Sequence, residues 1–170
     1  MDGWSQHQPY LAPGTQPEHK ARVSAAAVHL ELVFSRPETT QAVTRGAARL
    51  LIDMGYAPLL EVCLPNGRRA DVMAVGKTGD IVICEVKSGL EDYRVDRKWG
   101  EYAPFCDAFF FAVGPEFPGD ILPDHPGLIV ADGFGGAVVR EAPVARLAPA
   151  RRKALTVALA RLGAMRAIRL

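Results

Sequence analysis

Apolar positions along this chain change period several times, and each change marks an element. Val43, Ala47, Leu50, Leu51 and Met54 recur at helical spacing on one face. Ser35 and Glu38 form a capping box ahead of them, and the helix is expected to end near Gly55. Three β-branched, apolar runs follow, near 58–64, 68–75 and 81–87. Ser88 with Glu91 then caps a second helix reaching about Tyr102, with Val95, Trp99, Tyr102 and Cys106 as its apolar stripe. Ala108-Phe109-Phe110-Phe111-Ala112-Val113 reads as a strand buried on both faces. After a proline-rich loop come short strands near 127–131 and 136–140, and a helix opening around Pro149. The order predicts an α/β fold with a mixed central β-sheet flanked by helices. Residues 1–20, rich in Pro, Gln, His and Gly, read as a disordered tail. Val23–Phe34 reads as a short helix or an edge strand, and 21–170 as one domain without internal repeats.

The turns between the three consecutive strands set their registers. Lys77-Thr78-Gly79, with Gly79 left-handed, makes a three-residue loop that pairs Gly76 with Asp80. Counting back, Asp71 falls opposite Glu85, and Lys87 projects on the face of Glu85. Upstream, Pro65-Asn66-Gly67 as a three-residue loop pairs Leu64 with Arg68 and sets Glu61 opposite Asp71. A two-residue Asn66-Gly67 turn is the competing register and would send Glu61 to the other face. The first register is favoured. It lays Glu61, Asp71 and Glu85 in a row across three neighbouring strands.

Two carboxylates and an ammonium on a sheet whose Ile81, Val82, Ile83, Cys84 and Val86 are apolar on both faces call for a chemical reason. Opposed carboxylates repel, and a divalent cation removes that penalty. Mg²⁺ (or Mn²⁺) suits one or two carboxylates plus waters and phosphate oxygens. Asp71 and Glu85 are the expected metal ligands, with the Val86 carbonyl and Glu61 as candidate additions. Lys87 would stand by the attacking water and the scissile phosphate. Together these outline phosphodiester hydrolysis. Arg68 and Arg69 beside the site, and Arg94 and Lys98 one turn apart on the second helix, are candidate nucleic-acid contacts. The alternatives are hairpin-end charges for the first pair and a solvated helix face, paired with Glu91, Asp92 and Glu101, for the second. Glu38 is already accounted for by its capping role.

Asp71, a hairpin turn, then Glu85-Val86-Lys87 after an apolar strand resembles the PD-(D/E)xK nuclease superfamily. That resemblance implies an αβββαβ restriction-endonuclease-like core that cleaves or binds DNA with Mg²⁺. The chain departs from it at the first motif letter, having Ala70 where the name-giving proline would stand. At finer grain, Gly67-Arg68-Arg69-Ala70-Asp71, Glu85-Val86-Lys87-Ser88, Asp96-Arg97-Lys98-Trp99 and Leu147-Ala148-Pro149-Ala150-Arg151-Arg152-Lys153-Ala154 are similar to the MmcB family. The similarity covers most of the chain beyond residue 20. It implies a bacterial DNA-repair endonuclease, with catalytic Asp71, Glu85 and Lys87 and DNA as partner. A non-catalytic DNA- or partner-binding module of the same fold is the alternative. A small-nucleotide phosphohydrolase is a further rival, but it would need an enclosed pocket.

Composition narrows this only slightly. At 170 residues and 49% hydrophobic, the chain can bury a real core. No run approaches the roughly 18 apolar residues of a membrane span. Its start lacks the basic and apolar regions of a signal peptide. With Cys63, Cys84 and Cys106 in or beside apolar segments, the expectation is reduced thiols, a cytoplasmic setting and no membrane. Neither the cysteines nor the four histidines have zinc-ligand spacing. Seven Arg/Lys and no acid follow Glu141, so with a formal net charge of +1 the preceding residues carry about −6. The basic end fits either a phosphate-gripping surface or a helix whose start needs a neighbouring acid, because cations there oppose the helix dipole. Single-domain nucleases of this size often cut both strands as a homodimer, but no dimer surface is marked. Gly133-Phe134-Gly135-Gly136 reads as a hairpin turn rather than a phosphate loop, since no capped helix follows it.

Overall fold

Two glycines decide how the first three strands meet. Gly67 (φ 81°) and Gly79 (φ 83°) both adopt the left-handed conformation, which costs a residue without Cβ almost nothing. Each closes a three-residue loop. Leu64 N–H donates to Arg68 O at 2.7 Å, and Gly76 N–H donates to Asp80 O at 2.8 Å. Both expected registers are therefore present. The computed structural model of the protein describes residues 36–90 and 99–168. These fall within one compact unit, Val33–Leu170. The predicted tail, the 23–34 element, the domain start at 21, Ser35 of the capping box, and Arg94 and Lys98 lie outside the described residues.

Helix α1 (Arg36–Asp53) leads into β1 (Tyr56–Cys63), β2 (Arg69–Gly76) and β3 (Ile81–Lys87). Next come β4 (Ala108–Val113), β5 (Gly127–Ala131), β6 (Gly136–Arg140) and helix α2 (Pro149–Ala167). The six strands form one sheet in chain order. The β1–β2, β2–β3 and β5–β6 pairs are antiparallel, whereas β3–β4 and β4–β5 are parallel. This is the mixed, helix-flanked α/β sheet that the hydrophobic pattern predicts.

Each face of the sheet buries its own cluster. On one, Val72, Ala74, Val82, Cys84, Val86, Phe110, Ala112 and Ile129 pack with Val43, Ala47 and Leu51 of α1. On the other, Met73, Ile81, Ile83, Phe109 and Phe111 meet Tyr102 and Leu155 and Leu159 of α2. Met54, expected on the α1 core stripe, is instead 44% exposed, because α1 ends at Asp53 and the chain turns at Gly55 (φ 89°). The predicted second helix is described at its start, where Leu90 is helical, and at its end, where Trp99–Phe105 is a 3₁₀ helix containing Pro104. A proline cannot donate the backbone bond an α-helix needs there. Trp99 and Tyr102 are core residues, stacked on Phe109 at ring distances of 6.0 and 5.5 Å. All three cysteines are free; Cys84 and Cys106 are buried, but Cys63 faces solvent, contrary to its apolar neighbourhood in sequence. No helix among the described residues is long and apolar enough to cross a membrane.

Candidate active site

The first two strands change faces together halfway along. Leu59 and its partner Met73 belong to the α2-side cluster. Strict alternation would put Val62 and its partner Ala70 on the α1 side. They lie in the α2-side cluster as well. The pivot is Glu61, a non-glycine residue at φ 49°. Its register partner is Asp71, yet the two make no ladder pair. From α2, the Arg166 guanidinium donates to the carbonyls of Leu60 and Glu61 and so satisfies backbone that the kink removes from the ladder.

That pivot places the Asp71 carboxylate beside β3. The β2–β3 ladder stops at Val72↔Cys84, one pair short of Asp71. Asp71 Oδ2 accepts instead from Val86 N–H at 2.8 Å. On β3, Glu85 and Lys87 alternate with Val86 and share the α2-side face with Ile81 and Ile83. Lys87 Nζ lies 3.7 Å from Glu85 Oε1, and the two residues are only 3% and 6% exposed. Asp71, through its bond to Val86, and the Glu85–Lys87 pair on either side of Val86 therefore stand at the same joint of β2 and β3. Negative charge there is felt by its neighbours. Burial first, then the charges of Asp71 and Glu85, push the Cys84 thiol well above its ordinary range.

The other candidates are placed differently. Glu61 is exposed and its nearest charged partner is Arg69, at 3.9 Å. Among the described residues no three His, Cys, Asp or Glu side chains are grouped as a metal cluster, so the row of three acids is not gathered. The left-handed backbone at Glu61 is the reason, because it turns the side chain out of the alternation on which the row was counted. Arg68 is held by Glu101 in a two-point ion pair, Nε to Oε2 at 2.7 Å and Nη2 to Oε1 at 3.2 Å. Arg69 keeps its guanidinium largely in solvent.

These positions carry the resemblance that the motifs suggest, and comparison with known proteins decides it. The model of the family described as DNA repair protein MmcB-like matches residues 31–170. The chain belongs to the MmcB-like family. Among solved structures, it is similar to a protein of unknown function from Silicibacter pomeroyi, with 42% sequence identity and a TM-score of 0.68. That match covers 75% of this chain and 91% of the other. None of the curated proteins matches.

One polar centre of this MmcB-like chain is not legible in its motifs. Asp107, buried just before β4, accepts from Arg152 Nη1 and Nη2 at 2.7 Å each, from Ile81 N–H at 2.7 Å and from Leu147 N–H at 2.8 Å. Burial alone would raise the Asp107 pKa, but Arg152 and the two amides together hold it below the usual carboxylate value. Arg152 in the first turn of α2 thus takes a neighbouring acid rather than phosphate. The one available signal was an acid lodged between Cys106 and the apolar 108–113 run.

Proposed function

We propose that this chain is a Mg²⁺- or Mn²⁺-dependent DNA nuclease that hydrolyses phosphodiester bonds during repair. The observation that carries the reading is the position of Asp71, Glu85 and Lys87 at one end of β2 and β3, with Asp71 Oδ2 2.8 Å from the Val86 nitrogen and Lys87 Nζ 3.7 Å from Glu85 Oε1. Membership of a family named for DNA repair supports DNA as the substrate. The donor set fits a divalent ion: two carboxylates against one ammonium leave a net negative, oxygen-rich site. Asp71 and Glu85 would hold the ion, with the Val86 carbonyl as an added ligand. When bound, a divalent cation would polarise the phosphoryl oxygen and lower the pKa of the attacking water.

The side chains divide the remaining work. Asp71 is oriented by Val86 N–H, so one of its oxygens has a fixed direction. Glu85 is oriented by Lys87. Lys87 in turn is held where its charge would offset that building on the scissile phosphate and would position the attacking water. Arg69, largely in solvent at the hairpin end, is available to a flanking phosphate.

A binding module of the same fold is the second reading. The near-complete burial of Lys87 and Glu85 favours it, since an ion pair closed off this far can serve to hold β3 rather than to react. Purified full-length protein incubated with single-stranded, flapped and branched DNA in Mg²⁺ or Mn²⁺ separates the two. Cleavage by the wild type that disappears in Lys87→Ala supports the nuclease. Binding with no metal-dependent cleavage supports the module.

A further inference from the structure

The β5–β6 turn presents an aromatic ring to solvent on a braced backbone. Phe134 is 88% exposed, while Phe109, Phe110 and Phe111 are buried. A single exposed apolar residue needs no explanation. Here, however, the backbone beneath it is fixed from two sides. Asp132 Oδ1 accepts from Phe134 N–H at 2.7 Å and from Gly135 N–H at 3.0 Å. Arg49 Nη1 on α1 donates to Gly133 O at 2.8 Å and Phe134 O at 3.1 Å. At Gly46, a Cβ would collide with the carbonyls of Asp132 and Gly135, so α1 touches the turn directly. The backbone that carries the exposed ring is thus fixed.

Its surroundings suit a nucleotide. Beside Phe134 lies an open cleft of about 440 Å³ lined by Pro115, Val130, Ala131, Gly136 and Ala137, with Asp132, whose carboxylate is taken up by the turn amides, at its edge. Two exposed arginines of α1, Arg45 and Arg49, stand one helical turn apart beside the β5–β6 turn itself: Arg49 bonds its carbonyls, and Arg45 comes within 3.9 Å of a Cβ built at Gly133. An aromatic face with an apolar slot and guanidinium groups is the combination that stacks an unpaired base and pairs with its phosphate. The turn also stands at the end of the sheet that carries the acids. Lys87 pairs with Val113, and Val113 with Val130. Two strand spacings put the backbone of Val130, four residues before Phe134, roughly 10 Å from that of Lys87, a span of about three base steps along one strand.

We infer that Phe134, with Arg45 and Arg49, stacks an unpaired base of DNA a few nucleotides from the phosphodiester held at Asp71, Glu85 and Lys87, on a strand that passes over this end of the sheet. This rests on the proposed nuclease reading for its substrate and adds the structural class: DNA with a single-stranded or flipped-out nucleotide near the cut.

The test is binding of full-length protein, in chelator, to an oligonucleotide carrying a fluorescent base analogue, single-stranded or in a flap, against a blunt duplex. Wild type is expected to prefer the unpaired forms. Phe134→Ala should lose roughly fivefold or more of that affinity, and Phe134→Trp should keep it. Unchanged preference in Phe134→Ala overturns the inference. So does a change of sedimentation in Phe134→Ala with DNA affinity intact, which would make the ring a protein contact. Cleavage assays in Mn²⁺ separate the two claims. Phe134-dependent binding without any cleavage sinks the nuclease reading alone. Cleavage with a substrate preference indifferent to Phe134 sinks this inference alone, and absence of any DNA binding sinks both.

Discussion

The carboxylate of Asp71 accepts the Val86 N–H at 2.8 Å, so a side chain of β2 continues a ladder that its backbone has left. A single acid thereby joins two strands and also offers oxygen at the candidate site. The two roles separate by substitution. Asp71→Asn keeps an oxygen for the Val86 amide, whereas Asp71→Ala leaves that amide without it. Chemical denaturation should show Asp71→Ala losing about 1–3 kcal/mol and Asp71→Asn distinctly less. Both should abolish metal-dependent cleavage.

Metal binding is testable without any DNA. A cation that binds only the folded protein raises its melting temperature in proportion to ln(1 + [L]/Kd). Millimolar Mn²⁺ should raise the Tm of the wild type and not that of Glu85→Gln or Asp71→Asn. An equal rise in all three proteins would place the ion elsewhere.

Glu61 tests whether the exposed acid belongs to the site. Its φ of 49° costs an L-residue about 1–2 kcal/mol, which glycine avoids. Glu61→Gly should therefore be no less stable than wild type, by urea denaturation, and should retain its Mn²⁺-dependent Tm gain. Loss of that gain would return Glu61 to the ligand set.

Asp107 and Arg152 should dominate the acid sensitivity of the fold. Arg152→Ala strands a buried carboxylate and is expected to cost roughly 3 kcal/mol. Because the folded-state pKa of Asp107 lies below its unfolded value, the stabilisation is complete above the ordinary carboxylate range of about 4. It is lost as pH falls through the lower folded value. Stability measured from pH 6 down to pH 2 should fall less steeply in Asp107→Asn than in wild type.

Gly46→Ala probes the contact between α1 and the β5–β6 turn. The added methyl would meet backbone carbonyls of Asp132 and Gly135, which cannot swing aside as a flexible side chain would. A loss of about 1–3 kcal/mol is expected in thermal or urea melts. An unperturbed protein would mean that the turn is free to shift.

The local pattern of this chain determined its elements and its registers. Gly67 and Gly79 each permit one low-strain loop, and a period of two then carries Asp71 to Glu85 and Lys87 by counting alone. The buried 108–113 strand and the helix starting at Pro149 followed equally from runs and caps. Tertiary structure decided what counting cannot reach. The face change at Glu61 depends on Arg166, 105 residues away, bonding the kinked backbone. Arg152 chose Asp107 because folding buried that carboxylate where an unpartnered ion is costly, and Arg68 met Glu101 because folding brought two distant surface charges together. Phe134 stayed in solvent because α1 claimed the backbone beneath it. Periodicity is a property of neighbours along the chain, whereas partnership between charges and the posture of a turn belong to the packed whole.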